Sequence, residues 1–294
     1  MSDTRTAGAI YDLGYQRYGG TRFGRSYSLR ILIAYSLRAA FGIGRGEKAK
    51  MMPVLVGALV FLPALVQVGV ASASGMSNLI HYANHLEFTA FLLALFAAGQ
   101  APELIVSDKQ QGVLSLYLSR PMRSTDYAWS KLIALTAAMM VLTLGPQLVL
   151  FLGKIFIAKE PWKGFVDEWA KLFPILGGSL LVSLFIAAIG LALASLTTRR
   201  GYATAAVISF FLLTAAISQI VQQIGFGGME RYAVLGNPAL LIAGFASWLF
   251  EIEARRRSIV GKAALPGTDY LWTMIVVTGI AIAIFLRRYR KVDV

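Results

Sequence analysis

The sequence predicts an all-α polytopic membrane protein with six transmembrane helices, an N-terminal interfacial helix, and a re-entrant or interfacial outer hairpin before the last span. Three observations carry this prediction. Of the 294 residues, 57% are hydrophobic and only 15% are charged, and the mean hydropathy is +0.64, which no soluble domain of ordinary composition approaches. The apolar residues gather into six runs close to the roughly 20 residues an α-helix needs to cross the hydrocarbon core. The bases behind the formal charge of +13 flank those runs, where the positive-inside rule and anionic lipid account for them, so the charge does not call for a nucleic-acid partner.

Residues 1–51 form an N-terminal segment. Its first 50 residues hold nine bases against three acids and no signal-peptide run, which keeps it in the cytoplasm. Within it, residues 26–43 read as an amphipathic helix lying on the inner surface, with Leu29, Leu32, Ile33 and Leu37 toward lipid and Arg30 and Arg38 toward water. The glycines at 42, 44 and 46 read as a flexible joint.

The transmembrane domain, 52–286, starts with a span at 52–71, which contains Pro53 and Pro63, and continues at 88–105. Spans at 132–152 (with Gly145-Pro146), 173–196, 202–224 and 270–286 follow. Residues 239–250 are strongly apolar but too few to cross, and Asn237-Pro238 blocks their extension backwards, so they are expected to form the hairpin. Six spans put both termini, including the tail 287–294, in the cytoplasm. The same count leaves Lys154, Lys159, Lys163, Lys171, the Arg255–Arg257 cluster and Lys262 outside.

The polar interruption from 102 to 131 carries the most pattern. Asp108, Lys109, Gln110 and Gln111 read as the polar first turn of a short helix, and Val113, Leu116 and Tyr117 fall on one side of it at helical spacing. Arg120-Pro121 ends that helix, and Ser124, Thr125 and Asp126 offer caps for the next. Glu103, an acid at a membrane edge, calls for a basic partner: Arg120, Arg123 or a base in the N-terminal helix.

In this stretch the chain resembles the membrane subunits of type-2 ATP-binding cassette exporters. The resemblance rests on Glu103 at the inner end of the second span, Asp108 followed by Gly112, the run Leu-Tyr-Leu-Ser-Arg-Pro at 116–121, Asp126-Tyr127, and Lys131. It implies that 107–131 is a coupling loop that docks into a separate ATPase. The ATPase-coupling residues would be Glu103, Asp108, Gly112, Val113, Leu116, Tyr117, Arg120, Pro121, Asp126 and Lys131. It also implies a permease without catalytic residues of its own, working with two ATPase subunits that carry ATP and Mg, and with a second permease copy or homologue in the cell membrane.

Neither Gly153-Lys154 nor Gly261-Lys262 has the glycine five residues earlier that a phosphate-binding loop requires, so the chain is expected to hold no cofactor and to hydrolyse no ATP. His81 and His85 lack a third ligand on their face, and no metal site is expected. Glu103 has no acid or histidine in another span to form an acid–base pair, which argues against the alternative of an integral-membrane enzyme; a sensor working without an ATPase is the other alternative. Gln219, Gln222 and Gln223, near the outer end of the fifth span, could line a substrate path or merely hydrate the helix end. The substrate itself stays open.

Overall fold

The computed structural model describes residues 24–113, 116–117, 122–158, 160–224, 228–252 and 259–290. Every regular element among them is helical: α1 (Arg25–Ala40), α2 (Glu47–Ser74), α3 (Tyr82–Gln110), α4 (Ser124–Ile157), α5 (Pro161–Glu168), α6 (Leu172–Ser195), α7 (Arg200–Ile224), α8 (Pro238–Leu249), α9 (Ile259–Ala263) and α10 (Gly267–Arg290), with 3-10 turns at Ser77–Leu79, Trp169–Lys171 and Met229–Gly236. Six helical segments are long and apolar enough to cross a membrane: α2, α3, α4, Pro161–Ser195, α7 and α10. Each extends beyond its apolar run, because polar residues continue the intrahelical hydrogen bonding past the hydrocarbon edge.

Burial divides these helices into a centre and a rim. The apolar windows of α3 and of Pro161–Ser195 are each 72% buried, while those of α2 and α7 are only 22% and 11% buried. With no hydrophobic force between helices in lipid, close packing needs small residues. Ala97 and Ala101 of α3 meet Gly190 of α6, where an added Cβ would come within 3.4 Å of both. Thr143 of α4 and Ser183 of α6 share a buried hydrogen bond of 2.8 Å. The rim helices present leucine, isoleucine and valine outward, among them Leu59, Leu62 and Val66 of α2 and Leu213, Ile217 and Ile220 of α7.

The face of α1 differs from the one the sequence suggests. Leu32, Ser36, Ala39 and Ala40 are buried against α4 and α3, so Leu32 packs on protein and not on lipid, while Tyr27, Ile31 and Tyr35 form the exposed stripe. α1 carries apolar residues on both sides, and small Ser36, Ala39 and Ala40 permit the closer approach. The glycine joint that follows is a fixed turn: Gly42 has φ +70°, and a Cβ there would lie 2.6 Å from the carbonyl oxygen of Ala49.

At the opposite end of the bundle, α8 follows the turn Glu230–Gly236 at an angle of 98°. Asn237 caps it by accepting from the Ala239 N–H at 3.0 Å, and Leu241, Ile242, Phe245 and Ala246 are buried between α3 and α10. The sequence expectation of a short helix here is matched in length, and its apolar character comes from protein contact.

Candidate functional site

Where α3 and α6 end and α2, α4 and α7 begin, polar side chains join into one layer. α3 supplies its centre. It runs straight through Glu103 and on to Gln110, so Asp108, Lys109 and Gln110 are the last turn of this long helix and not the first turn of a separate one. The chain turns at Gly112, which takes φ +64°.

Glu103 is held by two arginines: Arg45 Nη1 at 2.6 Å and Arg200 Nη1 at 2.9 Å, with the Ser107 hydroxyl donating at 3.1 Å. Among the described residues its partners are thus not the ones expected. Arg45 lies beyond the end of α1, in the turn before α2, and Arg200 opens α7. Arg123 is instead the N-cap of α4, and Arg120, with Pro121, lies outside the described residues. One carboxylate thus ties the α1–α2 turn and the start of α7 to α3.

Asp108 faces α4. Its Oδ2 lies 2.8 Å from Lys131 Nζ and accepts a hydrogen bond from the Tyr127 hydroxyl at 2.8 Å. Lys131 is 1% exposed and Tyr127 fully buried, so the lysine's charge depends on the carboxylate beside it and on the ring at 5.3 Å. Tyr289, in the last turn of α10, packs at 5.4 Å from Tyr127. Lys109 Nζ donates to the Ser195 carbonyl at 2.9 Å and lies 5.3 Å from the centre of the Tyr289 ring. Gln110 donates to the Thr198 carbonyl at 3.0 Å. Asp126 accepts from the Arg123 N–H at 3.0 Å, closing the first turn of α4. It also receives Arg25 in a two-pronged pair, Nε at 2.7 Å and Nη2 at 2.5 Å.

The stretch between α3 and α4 does not offer its three apolar residues on one outward face. Val113 lies in the turn after Gly112 and is half-buried. Tyr117 turns inward and packs 5.9 Å from Tyr127, whereas Leu116 is 64% exposed. The layer thus unites Glu103, Asp108, Asp126 and Lys131 as the sequence grouped them, and adds Arg25, Arg45, Lys109, Tyr127, Arg200 and Tyr289. For Tyr127 a signal existed, since it sits between Asp126 and Lys131. For Arg45 and Arg200 none did, since neither is near Glu103 in the chain.

The far end of the bundle is organised differently. Glu168 receives Lys171 at 3.0 Å and Lys154 at 3.4 Å and the Tyr82 hydroxyl at 3.2 Å, and Glu160 receives Lys163 at 2.9 Å. Three of the five lysines that a six-span reading places outside therefore sit beside a carboxylate, and Lys262 pairs with no acid among the described residues. Lys159 lies outside the described residues, as does the 255–257 cluster.

Separately, an open cleft of about 1030 Å³ lies between α7, the Met229–Gly236 turn and α9. Gln219, Gln222 and Gln223 all line it, with Arg231, Tyr232 and Lys262. His81 precedes α3 in extended conformation and its Nδ1 lies 3.0 Å from the Leu79 carbonyl, so it shares no helical face with His85, which is buried. Among the described residues no group of three His, Cys, Asp or Glu side chains could hold a metal ion.

The comparison with curated proteins found no match. A family model described as "ABC-2 family transporter protein" matches residues 26–294.

Proposed function

Since this chain belongs to the ABC-2 family of transporter membrane proteins, we propose that it is the permease subunit of an exporter driven by a separate ATPase that docks at the α3–α4 stretch. Two ATPase subunits carrying ATP and Mg, and a second permease copy or homologue, complete the assembly in the cell membrane.

The observation that carries this reading is the polar layer. A push on the α3–α4 stretch meets Tyr117, which rests on Tyr127. Tyr127 bears on Asp108 and on Tyr289 of α10. Through Glu103 the same end of α3 grips the starts of α2 and α7. A displacement of the loop is therefore handed to the ends of five spans at once, which is what conversion of ATPase closure into alternating access requires. The bases gathered at this end orient it to the cytoplasm, with both termini there.

Leu116 is the residue to test, because Tyr117 also packs inside the permease. Leu116→Asp places a charge on an exposed position and leaves every span untouched. Membrane insertion is expected to persist, while co-purification of the ATPase and transport are lost together. Undiminished pull-down of the ATPase by this variant would refute docking at the stretch. Orientation has its own check, because the chain contains no cysteine. Single cysteines at Ser74 and Thr198 are expected to react with an impermeant thiol reagent from the outside and the inside respectively; the reverse pattern would overturn the topology.

A further inference from the structure

We propose that the glutamine cleft and the apolar trough beside it form one binding site for an anionic amphiphile, its phosphate-bearing headgroup against Lys262 and Arg231 and its acyl chain along α7. The proposal rests on the transport reading only in making that amphiphile the cargo.

The trough, of about 530 Å³, is lined by Thr214, Ile217, Ser218 and Val221 of α7 with Tyr232 and Ala233, so Tyr232 belongs to both cavities. The α7 positions recur at three- and four-residue spacing and form one stripe, which Gln222 continues into the cleft about 12 Å further along the axis. Two hydroxyls in the trough are already used. Ser218 Oγ donates to the Ala233 carbonyl at 2.8 Å and accepts from Gln222 Nε2 at 3.0 Å, and Thr214 Oγ1 donates to the Phe210 carbonyl at 2.7 Å. A polar guest would lose its hydration there and gain no new partner, whereas a hydrocarbon chain loses nothing. Since α7 is the least buried of the six spans, the trough opens sideways, where acyl chains lie.

The cleft has the opposite character. Among the described residues no acid pairs with Lys262; Glu230 also lines the cleft, with its Oε2 accepting the Gly228 N–H at 2.8 Å. Arg231 donates to the Tyr232 hydroxyl at 2.9 Å, which leaves most of its five donors open. Gln219 and Gln223 are exposed and their amides make no hydrogen bond with other described residues. Two cations outnumber the one carboxylate of the lining, and with two amides beside them they suit a headgroup of phosphate chemistry. A soluble anion would leave the trough empty and an uncharged apolar compound would leave the cleft empty. An anionic amphiphile fills both, and its polar-to-apolar order follows that of α7.

The test uses the purified full chain in lipid nanodiscs with two probes bearing the same photoactivatable acyl chain, phosphatidylglycerol and phosphatidylcholine, and with glycerol 1-phosphate as a soluble competitor. Phosphatidylglycerol is expected to label the peptide containing 214–221 several-fold more than phosphatidylcholine. Lys262→Glu is expected to lower that labelling about five-fold without changing the phosphatidylcholine signal, and Ile217→Trp, which fills the trough, to lower both. Equal labelling by the two lipids, unchanged in Lys262→Glu, would mean ordinary surrounding lipid and would overturn the proposal. So would displacement by glycerol 1-phosphate, which would mark a soluble-anion site, or a trough sealed by a second copy, read as protection from both probes together with disulfide formation between two Leu213→Cys chains. Labelling needs no ATPase, so intact labelling in a chain whose Leu116→Asp variant still pulls down the ATPase undiminished would count against the docking reading alone.

Discussion

The two ends of this bundle solve the same problem in different ways. Each must place charge at the edge of a hydrocarbon layer. At the end where α3 finishes, charges are locked in pairs that join separate helices: Glu103 with Arg45 and Arg200, Asp108 with Lys131, Asp126 with Arg25. At the far end, a hub at Glu168 holds α4 and the α5–α6 turn, Glu160 pairs with Lys163 across α5's first turn, and the glutamine cleft stays open. The first end pairs its three acids across separate helices, which suits the coupling role proposed for it. The second keeps donors unused and is suited to receiving a guest.

The largest effect expected from breaking this contrast is at Lys131. Lys131→Met leaves Asp108 largely buried without its counter-charge, at a cost of about 3–5 kcal/mol. Thermal unfolding in detergent should show it as a clear loss, and Asp108→Asn in the same chain should recover part of it. An unchanged unfolding temperature for Lys131→Met would mean that the pair is not closed in the membrane. Next in size is the far-end hub. Glu168→Gln removes the carboxylate from half-buried Lys154 and is expected to cost about 1–3 kcal/mol. If that loss equalled or exceeded the loss at Lys131, the two ends would not differ in kind.

Much of the bundle was legible in the sequence, because spans follow from hydropathy alone. Residue type at the loop was legible too: Glu103, Asp108, Asp126 and Lys131 stood out as charges where lipid begins. Their partners were not, since Arg45 and Arg200 reach Glu103 from opposite sides of it in the chain, and only the packing of α2 and α7 beside α3 brings them together. The α1 face was misjudged because Leu32 and Ile31 differ little in hydropathy, and the closeness permitted by Ser36 and Ala40 is a property of the pair of helices. The glutamines were legible as a group because residues three and four apart share a helical face. Whether that face met a cleft or bare solvent depended on the Met229–Gly236 turn, which no periodicity in α7 foretells.

The smallest effect on stability, and the sharpest on function, is expected at Glu103. Its arginines are partly exposed, with side-chain exposures of 29% and 44%, so water relieves them when the carboxylate is lost. Glu103→Gln should therefore change stability by no more than about 1 kcal/mol and leave ATPase co-purification intact, while transport falls roughly 2- to 30-fold. Equal losses of stability and transport would make the residue a structural brace instead.

Tyr289 sits one residue from the end of α10, yet its ring closes the layer that begins at Arg25. During synthesis, the elements up to Arg200 are present some 90 residues before that ring emerges, a lag of about 5–20 s at ribosomal speeds. Throughout that interval Tyr127 and Lys109 lack the aromatic lid they will have in the finished protein. The interior of this layer therefore takes its final shape only after the last helix has been threaded into the bilayer, so the contacts of α3 and α4 are completed by the last element to be made.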